Sequence, residues 1–238
     1  MSAALRAAAP SPRPGPDRVG TAAFVLSLRE RGISDIGLLR ALETVPRELF
    51  APRRFGDLAR SDVALPLPCG QTMSSPATVA VMLAALGARP GAHVLEIGAG
   101  SGYVAAILAR MGAFVHSFEC RPILAESARQ RLADAGFANV VALVCGDGLS
   151  DVPEGLRYDR IVVNGILPDV PAHLSSRLRV GGRLVRAVPG PKGLRLAVLT
   201  RTDSGELRQF TGAAVRVSAL VADRPTDVAS PSRNGALT

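Results

Sequence analysis

The 238-residue sequence predicts an α/β fold: a doubly wound, mostly parallel sheet, preceded by helices and finished by antiparallel strands. Three observations predict it. From residue 92 short apolar strands alternate with helical patterns. A Gly-rich turn, "GAGSG", joins the first strand to the first helix of that series. After Gly182 the helical patterns stop while strand patterns continue. The length suits one domain, and 47% hydrophobic residues suffice for a substantial core. The expected limits are a disordered tail over 1–20, a domain over 21–221 and a disordered tail over 222–238. Within the domain, 21–90 is a helical N-terminal region and 91–221 carries the sheet.

Along the chain, "AAFVLSLRERG" (22–32) is a helix ended by Gly32, and Ser34 or Asp35 can cap "IGLLRALETV" (36–45) before Pro46. The stretch 46–70 is interrupted by four prolines and reads as a wrapping loop with a short helix. Residues 75–88 form a helix with Pro76 in its first turn. Then come a strand "AHVLEIG", a helix "YVAAILARM", a strand "AFVHSFE", a helix "PILAESARQRLADAG", and the strands "NVVALVCGDG" and "YDRIVVNG". "VPAHLSSRLRV" (170–180) reads as a helix ended by two glycines. "RLVRAVPG", "LRLAVLTR" and "LRQFTGAAVRV" (207–217) read as strands joined at "PGPKG" and "DSGE".

Composition narrows the function classes. The net charge is +8, but Lys192 is the single lysine, the arginines are scattered, and aromatic residues are 4%. That gives bases little to stack on, so no nucleic-acid partner is expected. No apolar run reaches membrane-spanning length, and residues 1–18 lack the apolar core of a secretory signal. Cys69, Cys120 and Cys145 are odd in number and far apart, which points to a reducing, cytoplasmic compartment and no disulfide framework. His93, His116 and His173 show no metal-ligand spacing with them, so no metal is expected.

"VLEIGAGSGY" is the strongest local signal. Gly98, Gly100 and Gly102 allow a tight turn and a close backbone approach to a ligand. The spacing G-x-G-x-G, with Glu96 two places before the first glycine, differs from the dinucleotide fingerprint G-x-G-x-x-G. It is similar to the turn of S-adenosylmethionine-dependent methyltransferases of the doubly wound class. Two more acids fall at successive strand ends. Glu119 ends the second strand and suits both ribose hydroxyls; Asp147 follows the third and suits the adenine amino group.

Neighbouring chemistries lack their residues. After the fourth strand "VVNGILPD" has neither the Pro-Pro-aromatic run of amino-directed nucleic-acid methyltransferases nor a nucleophilic cysteine. No Ser-His-Asp constellation suggests a hydrolase.

From about Arg29 to Ala219 the chain resembles the protein-L-isoaspartate O-methyltransferase family. The resemblance rests on "LRERGISDIGLLRALETVPRELF", "ALPLPCGQTMSSP", "VLEIGAGSGYVAAILARMG", "CGDGL", "YDRIVVN" and "LRVGGRLV". It implies methylation, by S-adenosylmethionine, of the free carboxylate of isoaspartyl residues in damaged proteins and peptides; the ester then collapses to a succinimide. It implies Ser74 as the active-site serine. It implies Thr72, Glu96, Gly98, Ala99, Gly100, Gly102, Glu119, Asp147 and Gly148 as cofactor contacts. A monomer is expected. Ser74 or Ser75 can also simply cap the helix at Pro76, and the two roles can coexist. The chain departs from the family at Ser75, at "NGILPD" and at "VRVSALV", where an aromatic-Val-Pro-Leu stretch is usual. The cofactor half therefore matches better than the substrate half. A small-molecule O-methyltransferase and a non-catalytic isoaspartyl-binding module stay open as alternatives.

Overall fold

The computed structural model describes residues 18–220. The tails expected at 1–20 and 222–238 lie outside those residues, except that the first helix already begins at Arg18. Helices α1 (Arg18–Glu30) and α2 (Ile36–Thr44) follow the sequence pattern. Asp35, not Ser34, caps α2: its Oδ1 accepts from Leu38 N at 2.8 Å. The short helix in the wrapping loop is α3 (Arg47–Phe50). Two-residue strands β1 (Leu65–Pro66) and β2 (Thr72–Met73) then pair antiparallel. Strands that short carry no alternation, so no periodicity announces them. Helix α4 (Pro76–Leu86) starts at the expected proline and ends on Gly87 in the left-handed conformation (φ 61°).

The sheet is built from β3 (His93–Ile97), β4 (Phe114–Glu119), β5 (Val141–Cys145), β6 (Tyr158–Ile166), β7 (Leu178–Gly190), β8 (Gly193–Arg201) and β9 (Leu207–Ala214). Helices α5 (Tyr103–Arg110), α6 (Pro122–Asp134) and α7 (Ala172–Ser175) lie between them in the chain. The spatial order is β5-β4-β3-β6-β7-β8-β9. The pairs from β5 to β7 are parallel, and β7-β8-β9 are antiparallel. In β3 Val94 to Ile97 are all buried, the unbroken run of a strand covered on both faces. One apolar cluster contains Leu38, Phe50, Leu83 and Ile107. The other contains Leu95, Phe118, Ile161 and Leu184. The chain steps outward from β3 to β4 to β5, then returns to β6 on the other side of β3. That reversal opens a crevice beyond the carboxyl ends of β3 and β6.

Two elements differ from expectation. The helix expected over 170–180 is only α7, four residues long. Ser175 Oγ and Ser176 Oγ donate back to the carbonyls of Ala172 and His173, at 3.0 and 2.8 Å, the local bonding that competes with helix propagation. Leu178 instead pairs with Tyr158 and opens β7, which shifts register before Arg183. The last strand ends at Ala214 rather than 217. Beyond it the chain turns back across the sheet: Ile166 N donates to Ser218 O at 3.2 Å, and Ala219 bridges to Ile166.

Candidate active site

The crevice contains a pocket walled by the glycine turn, by the ends of β4 and β6, by residues 71–74 and by the returning segment 218–220. The turn takes its form from three positive-φ glycines: Gly98 at +84°, Gly100 at +55° and Gly102 at +86°. Gly98 N and Ala99 N both donate to Phe118 O, at 2.8 and 3.0 Å, which pins the turn to β4. A Cβ on Gly102 would lie 3.3 Å from both Ala128 and Leu132 of α6. The third glycine thus serves packing of α5 on α6, while Gly98, Ala99 and Gly100 line the pocket.

Glu119 sits at the end of β4, 5% exposed, and lines the pocket. Its Oε2 accepts from Gly100 N at 2.8 Å and its Oε1 from Arg121 N at 2.9 Å. Two backbone amides therefore hold the carboxylate against the glycine turn. Asp147, in the loop after β5, also lines the pocket; its Oδ1 accepts from Leu149 N at 2.9 Å and its Oδ2 from Ser150 Oγ at 3.1 Å. A Cβ on Gly148 would come within 2.8 Å of Phe118 Cβ and 3.0 Å of Ile97, so glycine there keeps the loop tight on the apolar wall these two residues form.

Glu96 is placed differently. It is fully buried and is not among the residues lining the pocket. It accepts from Ser117 Oγ at 2.5 Å and from Asn164 Nδ2 at 2.8 Å. Burial pushes its carboxyl up to about 7, against the two hydrogen bonds, and the charge of Glu119 adds to the rise. Asn164 Nδ2 also donates to Gly98 O at 3.1 Å. Both amide hydrogens are thereby used, and the side-chain oxygen of this pocket residue is left as an acceptor.

The two adjacent serines have separate places. Ser75 is the N-cap of α4, accepting from Thr78 N at 3.4 Å. Ser74 lines the pocket, and its hydroxyl makes no hydrogen bond among the described residues. Its carbonyl is fixed by Arg47, whose Nη2 donates to Ser74 O at 3.0 Å and to Val63 O at 3.2 Å. Arg47 Nη1 donates to Ala59 O at 2.6 Å, and the guanidinium lies 5.9 Å from the Tyr103 ring centroid. Thr72 Oγ1 hydrogen-bonds Ser218 Oγ, joining the two segments across the mouth of the pocket.

Sequence reasoning assigned no role to Asn164 or Arg47, and it marked residues 218–220 only as part of the departing stretch "VRVSALV". Asn164 stands in the "NGILPD" stretch, whose unusual composition was the available signal. Arg47 stands in "VPRELF", read there only as part of a resemblance. Among the described residues no group of His, Cys, Asp or Glu is arranged to hold a metal ion, and no helix is long and apolar enough to cross a membrane.

Comparison with known proteins identifies the family. The family described as "Protein-L-isoaspartate(D-aspartate) O-methyltransferase" matches residues 20–224. A protein-L-isoaspartate O-methyltransferase of Azorhizobium caulinodans is 42% identical over 206 residues, covering 87% of this chain and 94% of the relative. Its counterpart in Methylorubrum populi is 48% identical over 171 residues, covering 72% and 80%. Among solved structures, a protein-L-isoaspartate O-methyltransferase superposes with TM-score 0.72 at 27% identity; the match covers 84% of this chain and 65% of that one. A Plasmodium falciparum structure, described as a putative protein-L-isoaspartate O-methyltransferase in complex with S-adenosyl-L-homocysteine, gives TM-score 0.73 at 18% identity, covering 84% and 98%, and shows the shared fold.

Proposed function

The chain belongs to the protein-L-isoaspartate(D-aspartate) O-methyltransferase family, and on that premise we propose that it methylates the free carboxylate of L-isoaspartyl residues in damaged proteins and peptides, using S-adenosylmethionine. One observation carries the reading: a single pocket is lined by Gly98–Gly100, Glu119 and Asp147 together with Ser74, whose hydroxyl makes no hydrogen bond among the described residues.

The residues present fit the cofactor. Glu119, held by two amides, suits a ribose diol; Asp147 suits an adenine amino group; Ile97 and Phe118 supply an apolar wall for the base. The amide oxygen of Asn164, set by Glu96, suits the α-ammonium of the methionine part. Glu96 thus positions Asn164 and does not itself touch a ligand. When bound, the sulfonium supplies an activated methyl group.

The substrate carboxylate is ionised at neutral pH, so no side chain has to remove a proton. The task left to the protein is to hold the carboxylate oxygen in line with the methyl carbon. Ser74 orients it by donating its hydroxyl hydrogen, and Arg47 fixes the Ser74 backbone from behind. The segment 218–220 and Thr72 close the mouth of the pocket against water. The three cysteines are free, which suits the proposed cytoplasmic setting.

The test is methyl transfer to an isoaspartyl peptide and to its aspartyl twin. The expected result is transfer to the first only. Ser74→Ala is expected to lower turnover while S-adenosylhomocysteine affinity stays nearly constant. Unchanged turnover in Ser74→Ala would remove the serine from the site.

A further inference from the structure

A second cavity lies beside the first, and the boundary between them is made by two pairs of adjacent residues. Ser74 lines the pocket and Ser75 the second cavity; Ser218 lines the pocket and Val217 the second cavity. The groove therefore begins where the carboxylate-orienting serine ends. It runs between the N-terminus of α4, the 62–64 loop, the β7–β8 hairpin at Lys192 and residues 214–217.

Its charge is one-sided. Among the described residues the only carboxylate lining it is Asp62, and both oxygens of that group are engaged. Oδ2 pairs with Arg31 at 2.8 Å, and Oδ1 accepts from Ala77 N at 3.0 Å in the first turn of α4. The remaining two cations, Lys192 and Arg216, are exposed and form no ion pair among the described residues. Lys192, the sole lysine of the chain, stands at the tip of a hairpin that projects it over this groove. Val63, Ala64, Val81, Leu194 and Val217 supply an apolar floor on which a polypeptide backbone can rest.

We infer that this groove binds the residues flanking the isoaspartate and that Lys192 and Arg216 make the enzyme prefer substrates with acidic flanks. The inference rests on the function proposed above and adds to it a class of substrate. An exposed pair of opposite charges changes affinity by about 1.5- to 5-fold. Two such pairs give a preference of roughly 2- to 25-fold for an acidic over a neutral flank, expressed in KM. Between exposed groups it fades at high ionic strength, where the screening length falls to about 3 Å at 1 M salt.

The experiment uses three isoaspartyl peptides of equal length, whose flanking residues on both sides are glutamate, serine or lysine. Methylation kinetics are measured at low and high salt, and binding is read separately by anisotropy of labelled peptides with S-adenosylhomocysteine present. The expected order of KM and of Kd is glutamate below serine below lysine, with the differences collapsing in 1 M salt. The double variant Lys192→Glu/Arg216→Glu should reverse the order, with S-adenosylhomocysteine affinity as the check on folding. Equal KM and Kd for the three peptides, with the serine peptide still methylated, would overturn the charge preference and leave the proposed function standing. If no peptide is methylated and none binds, the function itself is wrong and the groove inference falls with it. An unreversed order in the folded double variant would move the selectivity to other residues and refute the assignment.

Discussion

Replacing Glu96 by glutamine tests the buried acid through its proton. In the folded protein its carboxyl is raised from an ordinary 4.5 to about 7, first by burial, with the charge of Glu119 adding and the bonds from Ser117 and Asn164 opposing. The folded chain therefore retains a proton that the unfolded chain releases between those two values. Stability attributable to this group is intact below about pH 4.5 and declines as pH rises toward 7. At about 1.4 kcal/mol per pH unit the total loss is roughly 3 kcal/mol, of which about 2.5 falls between pH 5 and pH 8. Glu96→Gln does not titrate, so the variant gains on the wild type by that amount over the same interval. Its amide brings one hydrogen more than Ser117 Oγ can accept, at about 1–3 kcal/mol. The variant is then less stable than wild type at pH 5 and about equal to it, or more stable, at pH 8. Denaturant unfolding of both proteins at the two pH values reads the difference. Calorimetry at pH 8 should show weaker S-adenosylhomocysteine binding, because the charge that sets Asn164 is gone. A stability difference that does not change between pH 5 and pH 8 would refute the raised carboxyl and the reasoning built on it.

Ser75→Ala removes the cap of α4 and should lower stability by about 1 kcal/mol, read as a shift in unfolding midpoint, with a smaller effect on turnover than Ser74→Ala. Arg47→Met leaves the carbonyls of Ala59, Val63 and Ser74 without their donor and should cost about 2–4 kcal/mol in denaturant unfolding. Arg47→Lys should recover only part of this, since one ammonium cannot reproduce the two-nitrogen reach of the guanidinium. Gly165→Ala places a Cβ 2.8 Å from Leu220 Cβ and 3.0 Å from Leu220 N, so it should push the returning segment off β6. The expected signature is weaker S-adenosylhomocysteine binding by calorimetry, with unfolding stability lowered by about 1–3 kcal/mol.

Much of the architecture was legible because it is written in local periods. The run Val94–Ile97, the glycines that follow it and the cap before α2 are signals within a few residues of one another, and so are Glu119 and Asp147 at their strand ends. Local signals failed where a nearby competitor acted: Ser175 and Ser176 bond back to their own turn and cut the helix expected over 170–180 to four residues.

The sequence by itself determined the parallel sheet, the glycine turn at its edge and the acids beside it. Tertiary structure alone decided that Glu96 lies behind the pocket rather than in it, because Asn164, 68 residues away, takes its carboxylate. It also decided which of two neighbouring serines caps the helix and which faces the pocket, since Arg47 and the returning segment fix residues 72–74 from opposite sides. The order of the last strands and the closure of Ser218 onto Thr72, 146 residues apart, belong to the same class. Such contacts follow from packing and hydrogen-bond satisfaction between segments that no local period relates.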